Sequence, residues 1–171
     1  MKLNLGCGAN NLRRFINVDH PRSVTPKDLA HDLNYLPWPF ADNSADEILM
    51  QDSLEHLTFP DEKVREVHRI LKPGGVFHGG VPYAYSDGAV QCMEHRWMFT
   101  EKSFDMFCCF DNGETRCDYL GKPLFRKDFV RLSTVGNTPK TFIRNLIPFR
   151  PFLRHWLRNM YDEVEFRLIK L

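Results

Sequence analysis

KLNLGCG, at residues 2–8, is the stretch that decides the fold. Leu3 and Leu5 form a short apolar run that ends at two glycines one residue apart. This pattern predicts a buried strand that stops at a tight turn, where glycine lets a ligand approach the backbone. A second apolar run, at residues 16–19, ends in the carboxylate of Asp19. A glycine turn after one strand and an acid at the tip of the next is typical of ribose binding in α/β folds.

Length and composition exclude several classes of protein. The 171 residues suit one domain, and the net charge of +1 gives no electrostatic reason to expect DNA binding. No apolar run approaches the roughly 20 residues of a membrane span, and no signal-peptide pattern precedes the first strand. Five cysteines in no framework spacing favour reduced thiols, so we expect a cytoplasmic protein.

The first half of the chain alternates strand and helix patterns. Only about two helical turns fit between the first two strands, so the first crossover is abbreviated. A helix is predicted from Pro60 to the KPGG at 72–75, and further short strands are predicted at 29–33, 47–50 and 76–81. This order predicts a doubly wound, mostly parallel sheet whose ligand lies beyond the carboxyl ends of the strands. Four residues fall at those ends: Gly6, Asp19, Asp32 and Gln51.

The second half is predicted to complete the sheet. Residues 83–96 form a long polar stretch that predicts a loop, and a capping pattern at Thr100 predicts a helix through about Phe110. Residues 129–135 and 164–171 alternate apolar and polar side chains, which predicts an antiparallel pair at the sheet edge.

Between these two strands lies a helical insert at about residues 140–160, broken by Pro148 and Pro151. Residues 140–158 contain four arginines and no acid, and a helical seam runs through Phe142, Leu146, Phe149, Leu153, Trp156 and Met160. One interpretation is a basic amphipathic surface for a membrane or an anionic substrate. The other is a helical pair that packs on the sheet or on a second subunit, with solvated arginines. We expect the second, because apolar helical spacing usually belongs to a core, and a homodimer is therefore plausible.

Five segments in order resemble class I S-adenosylmethionine-dependent methyltransferases, specifically the type 11-like subgroup. They are LNLGCG (3–8), INVD (16–19), DLNYLPWPF (32–40), DSLEHL (52–57) and EVHRILKPGG (66–75), within residues 1 to about 100. The resemblance implies a Rossmann-like, seven-strand, mostly parallel sheet with an antiparallel C-terminal edge pair. The N-terminal helices usual in the family are missing from this sequence. It also implies one methyltransferase domain over residues 1–171.

The resemblance further implies S-adenosyl-L-methionine as the cofactor. Asp19 would hold the ribose hydroxyls, Asp32 would accept from the adenine amino group, and Leu33 would offer its backbone to the ring. The methionine end and the reacting methyl would lie near Gln51 and Asp52. The full set of implied cofactor-binding residues is Leu5, Gly6, Cys7, Gly8, Asp19, His20, Asp32, Leu33, Gln51 and Asp52. A third glycine of a dinucleotide fingerprint is absent, which weighs against a nicotinamide enzyme.

Glu55, His56 and His95 are the candidate catalytic residues, because methyl transfer to oxygen is helped by a base. The set Asp52, Glu55, His56 and His95 is similar to the metal-binding set of small-RNA 2′-O-methyltransferases and of ubiquinone-type O-methyltransferases. Mg²⁺ would suit such ligands. The alternative, which we favour, is that no metal is used: Glu55 caps backbone donors and His56 lines the acceptor pocket.

The predicted function is therefore methyl transfer to O or N of a small molecule or glycan precursor. Two alternatives stay open. One is a non-catalytic cofactor-binding or scaffold module, and the other is a metal-assisted RNA 2′-O-methyltransferase.

Overall fold

The computed structural model describes residues 1–109, 122–136, 139–154 and 156–171, without the side chains of Cys109, Pro139 and Lys140. Eight strands of these described residues form one sheet. The strands are β1 (Lys2–Leu5), β2 (Ile16–Asp19), β3 (Leu29–Ala30), β4 (Ala45–Gln51), β5 (Leu71–Pro82), β6 (Cys108–Cys109), β7 (Phe125–Ser133) and β8 (Glu163–Lys170). Their order is β3-β2-β1-β4-β5-β8-β7-β6, and only β8 runs antiparallel to its neighbours. The predicted α/β class and mostly parallel sheet are confirmed.

The helices of the described residues are short apart from one. They are α1 (Pro60–Ile70), α2 (Asp87–Gln91), α3 (Pro139–Leu146) and α4 (Arg150–Leu153), with 3₁₀ turns at Leu54–His56 and Asp105–Phe107. α1 begins with Pro60 and two acids, and it buries Val64, Val67 and Ile70 against the sheet. Among the described residues, no helix has the length and the apolar character needed to cross a membrane.

Several boundaries differ from the sequence-based expectations. The third strand spans only Leu29–Ala30, and the 83–96 stretch contains α2. The predicted antiparallel pair exists, but β8 lies between β5 and β7, and the two-residue β6 adds an eighth strand at the edge. Alternation reports that a strand is half buried, not which neighbour it pairs with.

The helix predicted from Thr100 is wrong. Residues 101–104 form turns that lead into the 3₁₀ turn, and Phe110 lies outside the described residues. The capping contact itself exists, since the Ser103 hydroxyl accepts from the Thr100 N–H at 2.9 Å. The short turn buries both Phe104 and Phe107, and the Phe104 ring lies 4.3 Å from that of Phe166 on β8. Aromatic packing into the core therefore replaces a regular helix here.

A network of buried amides replaces the missing helix between β1 and β2. The Asn17 side chain accepts from the Leu12 N–H at 2.8 Å and from the Asn4 amide at 3.0 Å. It donates to the Asp28 carboxylate at 2.9 Å, and Asn4 donates to the carbonyl of Asn10 at 2.8 Å. Because both asparagines are almost fully buried, these bonds fix the path of the loop under the glycine turn.

A second network fixes the loop after β3 on α1. Glu66 accepts from the Trp38 N–H at 2.7 Å, and Arg69 donates to the carbonyl of Phe40 at 2.9 Å. The Trp38 indole, buried in the core, donates to the carbonyl of Leu33 at 3.1 Å. The position of Leu33 beside the candidate site thus depends on α1.

Asn17→Ala should lower the free energy of unfolding by about 2–3 kcal/mol, because it leaves the buried Asn4 amide and several part-buried groups without a partner. Urea unfolding followed by circular dichroism measures the change. Asn11→Ala is the matched control: its exposed side chain makes one bond, to the carbonyl of Pro26, and its loss should cost under about 1 kcal/mol. Equal effects of the two substitutions would contradict the role of the network.

Candidate functional site

A cavity of about 630 Å³ opens at the carboxyl ends of β1, β2 and β4. Its walls come from the loops that follow these strands, from the segment after β3 and from the residue before His95. The lining residues are Gly6, Gly8, Asp19, His20, Arg22, Ser23, Asp32, Leu33, Asn34, Asp52, Ser53, His56, Leu57 and Glu94. Eight of the sequence-predicted site residues are therefore brought to one cavity: Gly6, Gly8, Asp19, His20, Asp32, Leu33, Asp52 and His56.

Gly6 forms the floor of this cavity, and only glycine fits there. Its φ is +72°, a conformation that disfavours a side chain, and an added Cβ would lie 2.3 Å from the Ser53 hydroxyl. That hydroxyl donates to the carbonyl of Gln51 at 2.9 Å, and the N–H groups of Gly6 and Cys7 both donate to the carbonyl of Val18. The turn after β1 is thus hydrogen-bonded to β2 and packs directly against the turn after β4.

Two carboxylates lie on the wall formed by β2 and β3. Asp19 accepts from the Thr25 hydroxyl at 3.2 Å, and its carbonyl accepts from the His31 N–H at 2.9 Å. Asp32 accepts from the backbone and side-chain N–H groups of Asn34 at 2.9 and 3.1 Å, and it lies 3.4 Å from the His20 ring. Burial raises the pKa of Asp32, but the Asn34 hydrogen bonds outweigh it and hold that pKa below its ordinary value. Asp32 is therefore an acceptor at neutral pH.

Three predicted cofactor residues do not line the cavity. Leu5 is fully buried in the core, as its inward position on β1 dictates. The Cys7 thiol is also buried, and burial first and the nearby Asp19 charge second raise its pKa, so it is not a reactive thiolate. The Gln51 amide contacts Glu163 on β8 and donates to Asp52 at 3.2 Å. The cavity lining does not include these three residues, and their part in cofactor binding stays a prediction.

Sequence reasoning missed six lining residues: Arg22, Ser23, Asn34, Ser53, Leu57 and Glu94. Asn34 and Ser53 each stand one residue after a predicted site residue, so the sequence could have predicted that they line the cavity. Asn34 also accepts from the N–H and the hydroxyl of Thr58, at 2.8 and 2.9 Å, which joins two walls. Arg22 and Ser23 stand in a loop whose path no local pattern predicts.

The three candidate catalytic residues lie together at the β4 side of the cavity. One ligand atom from each of Glu55, His56 and His95 lies within 4.8 Å of the others. The two imidazole rings meet edge to face with centroids 4.7 Å apart, and His95 Nε2 lies 4.0 Å from Glu55 Oε1. His56 reaches the cavity wall, whereas Glu55 lies behind it, 1% exposed.

Glu55, the acid of this cluster, has a pKa far from its ordinary value. Neither carboxylate oxygen has a hydrogen-bond partner among the described residues. Burial, together with the charges of Asp52 and Glu163, raises the Glu55 pKa to about 8, so the carboxyl group carries a proton at neutral pH. A protonated acid is an uncharged donor, and this makes burial of Glu55 tolerable.

The two histidines lie beside this acid. His95 Nδ1 lies 3.3 Å from the carbonyl of Ala89, which can only accept, so Nδ1 is the donor in this contact. Burial, and after it the neighbouring His95, lowers the pKa of His56. The cluster therefore offers a proton donor in Glu55 and a proton acceptor in His56 within one short span.

Asp52 stands apart from this cluster. Its φ is +47°, and its N–H donates to the carbonyl of Gly80 at 3.0 Å, so it forms a strained turn at the exit of β4. Across the sheet, burial raises the pKa of Glu163 in spite of its bond to Gln51. Of the four residues that are similar to a metal-binding set, the structure brings together three, Glu55, His56 and His95.

Comparisons with known proteins find a methyltransferase domain and similar folds. A family model described as a methyltransferase domain matches residues 20–78. A dimethylglycine N-methyltransferase of Parasynechococcus marenigrum (strain WH8102) is 35% identical over 75 residues, which are 44% of this chain and 26% of that protein. The match thus spans about a quarter of the curated relative's length.

Solved structures are similar over nearly the whole chain. An S-adenosylmethionine-dependent methyltransferase from Archaeoglobus fulgidus matches with a TM-score of 0.61 at 15% identity, over 99% of this chain and 85% of that one. One from Mesorhizobium loti matches with a TM-score of 0.56 at 15% identity, over 99% and 90%. At this identity both likenesses show the fold.

Glu55→Gln should change how stability depends on pH. The folded-state pKa of about 8 exceeds the ordinary value of 4.5, so the folded chain binds the extra proton between these values. Wild-type stability should then fall relative to Glu55→Gln as pH rises through this window, by at most about 1.4 kcal/mol per unit, because ionisation occurs more easily in the unfolded chain.

Urea unfolding at a series of pH values measures this difference. Asp61→Asn, which removes an acid from the first turn of α1, is the control and should follow wild type across the same window. Parallel profiles for wild type and Glu55→Gln would show that Glu55 does not hold its proton.

Proposed function

Since the chain has the class I S-adenosylmethionine-dependent methyltransferase fold and matches a methyltransferase-domain model over residues 20–78, we propose that it is a methyltransferase. Residues 1–171 act as one domain with a helical insert at about 140–160. The acceptor is an O or N atom of a small molecule or glycan precursor. The observation that carries this proposal is the single cavity that joins Gly6, Asp19 and Asp32 to His56.

The residues present fit the cofactor class that the comparisons support. Asp19 and Asp32 are carboxylates at adjacent strand ends, which suits the paired hydroxyls of a ribose and the amino group of adenine. Gly6 and Gly8 leave the cavity floor free of Cβ atoms. At the other end lie Asp52 and the β4 turn, where negative charge favours a positive sulfonium.

S-adenosylmethionine, when bound, supplies an electrophilic methyl group on a positively charged sulfur. The protein's part is to hold the acceptor in line and to remove its proton. His56 lies on the cavity wall with a lowered pKa, so its ring is free to take that proton. The His95 ring packs edge to face on the His56 ring and so orients it, and Glu55 lies 4.0 Å from His95.

A divalent ion held by Glu55, His56 and His95 is the second candidate for this cluster. It is favoured by one observation: a 1% exposed carboxyl group without a hydrogen-bond partner among the described residues, close to two imidazoles. Such a site would be consistent with metal-assisted transfer to a ribose 2′-hydroxyl of RNA. One carboxylate and two imidazoles would suit Mn²⁺ or Zn²⁺ better than Mg²⁺.

Asp19→Ala and Asp32→Ala should each weaken S-adenosylmethionine binding about tenfold or more, because each removes a charged hydrogen-bond acceptor. Equilibrium dialysis with labelled cofactor measures the dissociation constants. Asp128→Ala on β7 is the matched control, since it removes the same charge from a surface strand where Asp128 pairs with Arg167. Unchanged affinity in both site variants would overturn the cofactor assignment.

His56→Asn should lower the methylation rate about 100-fold or more while cofactor affinity is kept, because a general base contributes on this scale. The assay follows S-adenosylhomocysteine formation with a panel of amines, including dimethylglycine, and of hydroxyl acceptors, including short RNA. His31→Asn, at a half-buried loop residue that does not line the cavity, is the control.

The same assay distinguishes proton transfer by His56 from a metal held by Glu55, His56 and His95. A chelator should leave the rate unchanged if the cluster works by proton transfer, whereas loss of rate restored by Mn²⁺ or Zn²⁺ would favour the metal. Cofactor binding without turnover of any acceptor would favour the scaffold alternative.

A further inference from the structure

In the insert, the large apolar side chains face solvent and most of the arginines face the body of the protein. Seven large apolar residues between Phe142 and Leu157 are 48–79% exposed: Phe142, Ile143, Leu146, Phe149, Phe152, Trp156 and Leu157. Of the predicted helical seam, only Met160 is buried, at 8% exposed. The expectation that the seam packs on the sheet is therefore wrong, while packing on a second subunit stays untested, and the apolar side chains of the insert form an outer surface of the chain.

The arginines of the insert, by contrast, attach it to the body of the protein. Arg144 donates to both carboxylate oxygens of Asp162, at 2.7 and 2.6 Å. Arg154 forms an ion pair with Glu101 at 2.5 Å. The guanidinium of Arg150 lies 4.4 Å from the centre of the Tyr161 ring and donates to Asn145 at 2.5 Å. The expected solvated arginines are thus mostly half-buried anchors, which fixes the apolar side chains outward.

The charge around this outer surface is positive. Arg144 and Arg154 are neutralised by acids from outside the insert, whereas the described partners of Arg150 are an amide, a carbonyl and an aromatic ring. Arg158 is exposed, and residues 140–158 contain no Asp or Glu. The surface therefore combines phenylalanine, tryptophan and leucine with uncompensated arginine.

We propose that the insert is a docking surface for a lipid bilayer that carries anionic headgroups, into which its exposed rings insert in the interfacial plane. Aromatic and aliphatic side chains beside basic ones are what the boundary between headgroups and acyl chains accommodates. Arg158, the exposed arginine of the insert, would meet lipid phosphates, with attraction screened by salt.

Two other occupants fit this surface less well. A symmetric second copy would cover the apolar side chains but would bring Arg158 of both copies into one interface that has no acid from residues 140–158 to offset the charge. A nucleic acid would pair with the arginines but leave the apolar side chains without a partner. In a bilayer, the negative headgroups would pair with arginine and the acyl chains would contact the exposed apolar side chains.

The insert also touches the segment that leads to the candidate catalytic cluster. Asn159, at its end, donates from its N–H to the carbonyl of Tyr85 at 2.9 Å and accepts from the Asp87 N–H at 2.6 Å. Tyr85 and Asp87 belong to the stretch that continues to His95. The insert is therefore hydrogen-bonded to the segment that forms one wall of the site. Membrane docking at the insert does not require methyl transfer.

Co-sedimentation with vesicles tests the proposal. The full chain should bind vesicles of phosphatidylcholine mixed with an equal part of phosphatidylglycerol, and should bind phosphatidylcholine vesicles much more weakly. Phe152→Ala/Trp156→Ala should weaken binding about tenfold or more, through lost apolar burial. Arg158→Gln should weaken it about fivefold, and high salt should do the same to wild type. Tyr35→Ala, which removes a 71% exposed aromatic outside the insert, should have no effect.

Tryptophan fluorescence keeps the test decisive if the double variant fails to fold. Vesicles should shift the emission of wild type to shorter wavelength, and Trp156→Phe should lose the shift while it still binds. Absence of binding to either vesicle by folded wild type would overturn the proposal. A dimer in sedimentation velocity that Phe152→Ala/Trp156→Ala dissociates would overturn it as well, by assigning the surface to a second copy.

Discussion

The contact between the Gly6 turn and the Ser53 hydroxyl is the constraint on which the rest of the site depends. β1 and β4 are neighbouring parallel strands, so their carboxyl ends must share one narrow space. A Cβ on residue 6 would lie 2.3 Å from Ser53 Oγ, and the positive φ of Gly6 turns the chain away at that point. Because the turns of β1 and β4 pack without a side chain between them, Asp19 at the end of β2, Asp32 after β3 and His56 face one cavity, with Glu55 and His95 beside His56.

The residues that are energetically unfavourable in this arrangement lie at the candidate catalytic site. Asp52 has a positive φ at the β4 exit, and Glu55 keeps a buried carboxyl group whose pKa rises to about 8 because of burial. Folded proteins tolerate such features where surrounding packing is strong, and here the buried strands β1, β4 and β5 supply it. The insert differs, since Arg144 and Arg154 pair with acids outside the insert while its large apolar side chains are exposed.

The sequence was sufficient to predict the central strands, α1 and the polar residues at strand ends, because glycine turns, apolar runs and helix caps are local signals. It could not predict that Gln51 turns toward Glu163, since this contact joins residues 112 positions apart. It also could not predict that Phe104 and Phe107 favour a 3₁₀ turn, because core packing overrides the capping pattern at Thr100. For the insert, helical spacing was a correct signal of helices and a wrong signal of burial.

The central claim is that the cavity at the strand ends is a S-adenosylmethionine site. Calorimetric titration of the wild-type chain with S-adenosylhomocysteine, in the presence and absence of a chelator, tests it most directly. We predict one micromolar site that adenosine occupies competitively and that the chelator leaves unchanged. Absence of binding by the folded chain would contradict the claim, because the Asp19 and Asp32 carboxylates would then have no nucleoside to hold.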